Sequence, residues 1–476
     1  MTTDSYHPAA PAASTVGQRQ GNTALAALLL RLHFYIGLFV GPFILVAAVT
    51  GTLFVLTPQI ETRLYAAQLF NDSHGAAQSL AAQVNAARGQ VGEGPRLFAV
   101  RPGKTDAWNT RVMFTAPGMG DSESRAIFVD PISLAVRGDL MVYGTSGTLP
   151  FRTTLDYLHR NLMLGDLGRN YSELAASWLW LGSLGGLWLW FSARRRNGRP
   201  NRQPRPITVR RLHSLLGLWI VLGLVFFSAT GLTWSRWAGG NVDLLRAQLG
   251  WVTPSASTQL HGPAPTPDEH AEHHHHAGMA MNMPMSAAGA LAAGAPAAGD
   301  PARFDMVRGI ARAGGIDASE IEIRPPRKID QAWSVREVDR SWPTQVDTVA
   351  IDADRMVITS RADFADFPLI AKLIRWGVDA HMGILFGLAN QIIMAAFGMA
   401  LTVMIVLGYV MWWRRRPAAG SSLAPLSEAF VRLPPALRAG VAVLAVALGW
   451  SLPLMGVSLA LFLVIDVLRW QLARRR

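Results

Sequence analysis

Four of the twelve histidines stand where an imidazole could do chemistry. His33 and His213 open two apolar runs, "RLHFYIGLFV" (31–40) and "RLHSLLGLWI" (211–220), with Gly37 and Gly217 four residues after each. At +17 and +18 the runs again agree, in Thr50-Gly51 and Thr230-Gly231. His159 and His381 form a second match. "LHRNLMLGDLG" and "AHMGILFGLAN" put Gly165 and Gly387 six residues after the histidine, with apolar residues at +3 and +5. Two imidazoles approaching one iron from opposite faces would suit a non-covalent b-type haem held between helices. Glycines near the ligands would let a flat macrocycle approach a helix backbone. Taken singly, each histidine also reads as an interfacial anchor or a partner of backbone carbonyls. A proton relay or a transition-metal transport path is the competing use of intramembrane histidine. Independent anchors would not need fixed +4 and +18 spacings, and no span carries Asp, Glu or Lys in its apolar middle, which weakens proton-coupled transport.

The elements that must position these residues are membrane helices. The chain has 476 residues, 50% hydrophobic and only 16% charged. Four runs, roughly 33–57, 172–192, 212–235 and 389–413, exceed the ~20 helical residues that cross a ~30 Å hydrocarbon core. A further apolar stretch, 438–469, is interrupted around Ser451 to Pro453 and has room for two short spans, giving six in all. The first span reads as an uncleaved anchor, since nothing before residue 31 has the layout of a cleavable signal. The formal charge is +12, with arginines clustered beside the apolar runs, so they read as orientation signals rather than a nucleic-acid footprint. "ARRRNGRPNRQPRPITVRR" (193–211) holds eight Arg and no acid. It should be cytoplasmic, as should "WWRRRP" (412–417) and the terminal "RRR", which puts the N-terminus inside and two large segments outside. Trp188, Trp190, Trp412 and Trp413 lie at span ends, as in an aromatic belt.

On this topology His33 and His213 share the inner edge, while His159 and His381 share the outer one. About 20 residues at 1.5 Å rise keep the layers roughly 30 Å apart, so no single site mixes them. Each half then repeats one unit, an inner His, an outside domain, an outer His and a span ending in Trp and Arg ("GLWLWFSARRR", "GYVMWWRRR"), as after an internal duplication. The chain has no cysteine, which excludes disulfides, thiolate metal sites and covalent Cys-x-x-Cys-His haem attachment.

The outside segments read as small α+β domains. The first has "RLFAVRP", "TRVMFTAP" and "RAIFVDPISLAVRGDL"; the second has "SEIEIRPP", "AWSVREV" and "DTVAIDADRMVITSRADF". Rigid lids or docking faces and direct substrate binding are both open roles for them. Between the third span and the second domain lies "HAEHHHHAGMAMNMPM" (270–285) in an Ala, Pro and Gly-rich linker. Its His270, His273, His274, His275, His276, Met279, Met281, Met283 and Met285 combine imidazole and thioether, a set suited to copper or other transition metals. A neutral low-complexity insertion is the alternative.

With "RLHFYIGL", "FVDPISLAV", "YLHRNLMLGDLGR", "RLHSLLGLW" and "DAHMGILFGLANQ" through "GYVMWWRRR", the sequence resembles the PepSY-associated transmembrane family over about 25–417. These iron-regulated membrane proteins include haem-containing siderophore-iron reductases. The resemblance implies a membrane α-helical bundle of four core spans plus a C-terminal pair, with two periplasmic α+β PepSY-like domains. In order, these are a tail (1–30), the first span (31–57), domain 1 (58–158), an interfacial helix and second span (159–193), a basic loop (194–210), the third span (211–236), the linker (237–302), domain 2 (303–380), an interfacial helix and fourth span (381–413), a loop (414–435), a hairpin of two spans (436–470) and a tail (471–476). It implies two bis-His haem b groups on His33, His213, His159 and His381, and reduction of a ferric chelate outside the bacterial inner membrane, releasing the more weakly held Fe(II). The inner and outer pairing comes from the topology. The His/Met linker and the apolar tail after 435 depart from the simplest members, and the linker opens a cupric substrate as the alternative to a ferric one. With no Gly-rich dinucleotide fingerprint after a strand, the electron donor is a cytoplasmic reductase or a membrane quinol. "GSLGG" (182–186) reads as helix packing. Arg160, Arg169 and Trp376, near the outer histidines, are candidates to meet an anionic chelate. Two readings without haem compete: an iron or copper uptake transporter or accessory protein, and a PepSY-type regulatory protein.

Overall fold

The computed structural model describes residues 13–120, 122–144, 147–196, 208–261, 300–416 and 425–475. Helix α1 (Ala13–Tyr35) passes through a π-helical turn (Ile36–Val40) into α2 (Gly41–Val55), followed by α3 (Thr57–Leu64) and α4 (Ala66–Leu69). Helix α5 (Leu80–Val91) precedes strands β1 (Arg96–Arg101), β2 (Thr110–Thr115), β3 (Glu123–Val129) and β4 (Val136–Tyr143). Next come α6 (Pro150–Asn161), α7 (Gly165–Arg196), α8 (Val209–Thr233) and α9 (Trp237–Leu249). The second half continues with α10 (Phe304–Ala313), β5 (Ile321–Arg324), β6 (Trp333–Glu337), β7 (Thr348–Asp352), β8 (Val357–Ala362), α11 (Leu369–His381) and α12 (Gly387–Arg415). Three helices close the chain, α13 (Leu426–Val431), α14 (Pro435–Ser451) and α15 (Pro453–Arg475).

Among the described residues, five helical stretches are long and apolar enough to cross a membrane: Thr23–Val55, Gly165–Arg195, Val209–Thr233, Gly387–Arg415 and Pro453–Leu472. Helix α14 is apolar but shorter. The helical state follows from the solvent, because hydrocarbon offers no partner for peptide groups and a helix satisfies them within one segment.

The chain divides into two compact units. The first comprises Met1–Val49, Arg160–Val242 and Ala396–Arg476. Its core joins Ile36, Val40 and Ile44 to Trp178, Leu224 and Leu401. The π turn has a visible use. It shifts the hydrogen-bond ladder so that Gly41 N–H donates to Ile36 O, and the Tyr409 hydroxyl donates to the Leu38 carbonyl at 2.9 Å. The carboxylate of buried Glu173 accepts the N–H groups of Trp237 and Ala238 at 2.9 and 3.0 Å. That satisfies the start of α9, so residues 237–249 form a helix where composition suggested the opening of the linker. Asp466 does the same for α13 inside the 414–435 loop, accepting from Leu426 and Ser427. Helices α14 and α15 break at Ser451 to Pro453, where proline opens a helix without losing a needed N–H, and Gly449 lies against Gly456 too closely for a Cβ on either.

The second unit comprises Thr50–His159 and Asp243–Ala395. The segments 80–143 and 304–362 share one eight-stranded antiparallel sheet, ordered β4-β3-β2-β1-β5-β6-β7-β8. Each segment folds as a helix followed by a four-stranded meander, and the first strands of the two meanders meet at the centre. Their ladder is short, Val100 opposite Ile323, but it removes an exposed edge from each meander. One core serves both halves: Leu80, Val84 and Phe114 from the first pack in the same cluster as Phe304, Val335 and Ile351 from the second. Asp305 of the second segment accepts the N–H of Leu80 at 2.9 Å, capping α5 of the first.

Beside that seam stands Glu322, fully buried, with Arg101 Nε at 2.7 Å, Arg324 Nε at 2.6 Å and Arg336 Nη2 at 2.8 Å. Burial alone would resist its charge, but Arg336, Arg101 and Arg324 outweigh it and hold the carboxyl well below the usual range. Such a depressed group contributes stability that is complete above its unfolded pKa, about 4.3, and lost as the pH falls through the folded value. Glu322→Gln leaves three guanidinium groups around a neutral amide and is expected to destabilise the chain by about 3 kcal/mol at pH 7. Thermal melts of full-length protein in detergent from pH 7 to pH 3 check this: the native melting temperature should fall with pH, while the variant starts lower and changes less.

Candidate functional site

The four histidines form two pairs, one in each unit. In the first unit His33, near the end of α1, faces His213, in the second turn of α8, with ring centroids 6.4 Å apart and planes 81° from parallel. In the second unit His159 of α6 faces His381 at the end of α11, with centroids 6.2 Å apart and planes at 62°. These separations accommodate one metal centre ligated by both rings. Two metal–nitrogen bonds of about 2 Å, plus about 1 Å from each nitrogen to its ring centre, sum to about 6 Å.

Both rings of the first pair are seated in the same way. His33 Nδ1 lies 2.9 Å from the Gly182 carbonyl, and its ring lies over Gly186, where a Cβ would come within 3.0 Å of Cε1. His213 Nδ1 lies 2.9 Å from the Met404 carbonyl, and Gly408 is the glycine its ring approaches. In each case the accepting carbonyl belongs to a helix residue, and the glycine stands four positions later, where it donates the ladder N–H to that carbonyl. A carbonyl only accepts, so Nδ1 must carry the proton, which leaves Nε2 with a free lone pair directed elsewhere. The second pair varies this arrangement. His159 Nδ1 lies 3.2 Å from the Thr50 hydroxyl, and its ring lies over Gly51, where a Cβ would come within 3.0 Å of Cε1. His381 is half-buried; burial, and then the neighbouring His159, push its pKa down to about 3, which favours the neutral ring that can ligate.

Among the described residues no group of three or more His, Cys, Asp or Glu could hold a metal ion. A bare ion at either pair would therefore lack donors, whereas two facing imidazoles are an axial set whose equatorial plane a macrocycle can fill. The donor set fits a haem.

A family model described as "PepSY-associated TM region" matches residues 30–415. The chain belongs to the PepSY-associated transmembrane family. With its long apolar helices, it is a multi-pass membrane protein. No curated protein matches its sequence.

Other residues of this PepSY-associated chain singled out from sequence have structural partners. Arg169 Nη2 donates to the Trp234 carbonyl at 3.2 Å, and the Arg160 carbonyl accepts from Ser172 Oγ at 2.7 Å, both in the first unit. Trp376, in the second unit, donates through Nε1 to Thr344 Oγ1 at 3.2 Å and packs with Trp342 and Phe364. The histidines and methionines of the linker from His270 to Met285 lie outside the described residues. Sequence reasoning missed Gly186 and Gly408, although both open the matching Trp-Arg segments. It also missed Arg152 and Arg340, which nothing local marks.

The glycine seats predict opposite signs for neighbouring substitutions. Gly185 has open space around it, so Gly185→Ala should stabilise α7 by about 0.5–1 kcal/mol through helix propensity. Gly186→Ala must push the His33 ring aside and should lower stability instead. Paired thermal melts of the two variants in one detergent read the difference directly.

Proposed function

We propose that this protein is a di-haem reductase of the bacterial inner membrane, with its N-terminus in the cytoplasm. It carries electrons from a cytoplasmic reductase or a membrane quinol to a ferric chelate bound at the periplasmic face. The observation that carries this reading is the repeated separation of about 6 Å between facing imidazoles. A b-type haem bound at such a pair supplies reversible one-electron transfer between Fe(III) and Fe(II).

The chain's own residues do the rest. The Gly182 and Met404 carbonyls fix ring orientation and favour the tautomer that presents Nε2 outward, and the Thr50 hydroxyl orients the His159 ring. Gly186, Gly408 and Gly51 admit the rings close to the helices. In the proposal His33 and His213 serve the cytoplasmic side, while His159 and His381 serve the periplasmic side, beside the shared sheet. The substrate iron leaves its chelate because Fe(II), with lower charge, is held less tightly than Fe(III). The matched halves, each with inner His, helix-plus-meander, outer His and Trp-Arg span end, support an origin by duplication. The short apolar α14 is proposed as a sixth span, paired with α15.

The test is a reduced-minus-oxidised spectrum with a pyridine haemochrome assay on detergent-purified full-length protein. Two b-type haems per chain are expected. His33→Ala or His213→Ala should remove one, and His159→Ala or His381→Ala the other. Well-folded, haem-supplemented protein without haem would overturn the reading and turn attention to metal passage by the same histidines.

A further inference from the structure

Two buried arginines in the second unit flank the His159–His381 pair with donors unused. Arg152 lies on α6, seven residues before His159. Seven residues make almost two full turns, so both side chains leave one face of the helix about 10 Å apart along its axis. Arg340, in the loop after β6, belongs to the His381 side. Its guanidinium pairs with fully buried Asp379, and Nη2 lies 3.8 Å from the sulfur of Met382, the residue after His381. Nε and Nη2 of Arg152 and Nε of Arg340 are buried N–H groups with no acceptor among the described residues. Buried donors in folded proteins nearly always have a partner, so an acceptor is expected here.

No hydrogen bond joins these three N–H groups to the neighbouring carboxylates of Glu61, Asp156 or Asp379. The Arg152 guanidinium lies over the Phe54 ring, 4.4 Å from its centre, which can take charge but not a directed hydrogen bond from Nε. Glu61 accepts the backbone N–H of Arg152 at 3.0 Å, not its side chain. Burial pushes the Glu61 pKa up against the pull of Arg152 and Arg111, so this carboxyl is a reluctant counter-ion. Burial also pushes the Arg152 pKa down; Glu61 and Asp156 oppose this, and Arg340 adds to it. The two guanidinium groups are therefore near enough to repel.

We propose that Arg152 and Arg340 bind a carboxylate beside the outer histidine pair. An anion between them would take up the unused N–H groups and relieve the repulsion, and the planar guanidinium fork matches a carboxylate's two oxygens. Resting on the haem reading, the carboxylate is a propionate of the group ligated by His159 and His381; a carboxylate of the ferric chelate is the other source of the same chemistry. Removal of either positive charge beside the bound group should lower the potential of the outer centre.

The experiment uses full-length His33→Ala protein from haem-limited cells, in which only the outer pair reports. Haemin, haem dimethyl ester and ferric citrate are each titrated into this protein and into its Arg152→Gln, Arg340→Gln and Arg125→Gln derivatives. Arg125 pairs with Asp139 on the sheet surface and serves as the control. Each of the first two substitutions should weaken haemin binding about tenfold and lower the midpoint potential, with no change for Arg125→Gln. The ester should bind the unsubstituted chain about tenfold more weakly than haemin and lose nothing further in the arginine variants. Equal binding of haemin and ester, with ferric citrate weakened about tenfold in the variants, would assign the site to the chelate carboxylate. Equal losses for haemin and ester in the variants, or no change with any ligand, would overturn the proposal. If no haem binds at all, the reductase reading falls, and the citrate titration alone decides the arginine site.

Discussion

A helix carbonyl already bonded to the N–H four residues on still has a second lone pair, but a side chain normally blocks the approach to it. Glycine at the +4 position removes that obstacle, and an imidazole from a neighbouring helix can then donate to the carbonyl. His33 does this at Gly182 and Gly186; His213 makes the same bond to Met404, with Gly408 farther off, where a Cβ would stand 3.8 Å from the ring. The single hydrogen bond fixes three things together: the rotation of the ring, its tautomer and the direction of the remaining nitrogen. Whatever lies between the two rings depends on it. The His159–His381 pair varies this, with the Thr50 hydroxyl at His159 Nδ1 and Gly51 under the ring of His159.

The sheet unit solves a problem of size. A four-stranded meander with one helix would expose an edge strand and bury only a small core. Pairing β1 with β5 closes both inner edges and lets the helices of the two segments cover one continuous apolar face. The hydrogen-bonded contact at the seam is short, so charge supplements it: Arg101 lies opposite Glu322, and Arg324 and Arg336 share the same carboxylate. A buried cluster of this kind is weak evidence for stability in itself, since desolvation opposes it. Its removal piecemeal is costly, which ties the two segments into one folding unit.

The pairing of the histidines was legible in the sequence because the pattern occurs twice, so that His33 goes with His213 and His159 with His381. The long helices were legible because their apolar runs exceed the membrane thickness. The role of the glycines was only half legible. Gly37 and Gly217 drew notice by their fixed distance from the histidines, yet Gly37 faces open space and Gly217 meets the Met404 sulfur. The glycines that seat the rings lie on other helices, at Gly186, Gly408 and Gly51, and sequence spacing does not state which helices face each other. The shared sheet was hidden for the same reason, since β1 and β5 pair across more than two hundred residues. Helix α9 was hidden because its cap, Glu173, is distant in sequence and its composition resembles a loop.

The two histidine pairs differ in their surroundings, and the difference has a chemical direction. In the first unit the His33 and His213 rings are anchored by backbone carbonyls of helices, and the core cluster around that unit's bundle is apolar. In the second unit the pair stands beside Arg152, Arg340, Asp379 and Glu61, so the field at its midpoint can be set by side chains. Positive charge near a one-electron centre favours its reduced form, and an apolar surround favours whichever form carries less net charge. The two pairs repeat one geometry in unequal settings, the His33–His213 pair within apolar packing and the His159–His381 pair in a unit where charged side chains of both signs are buried.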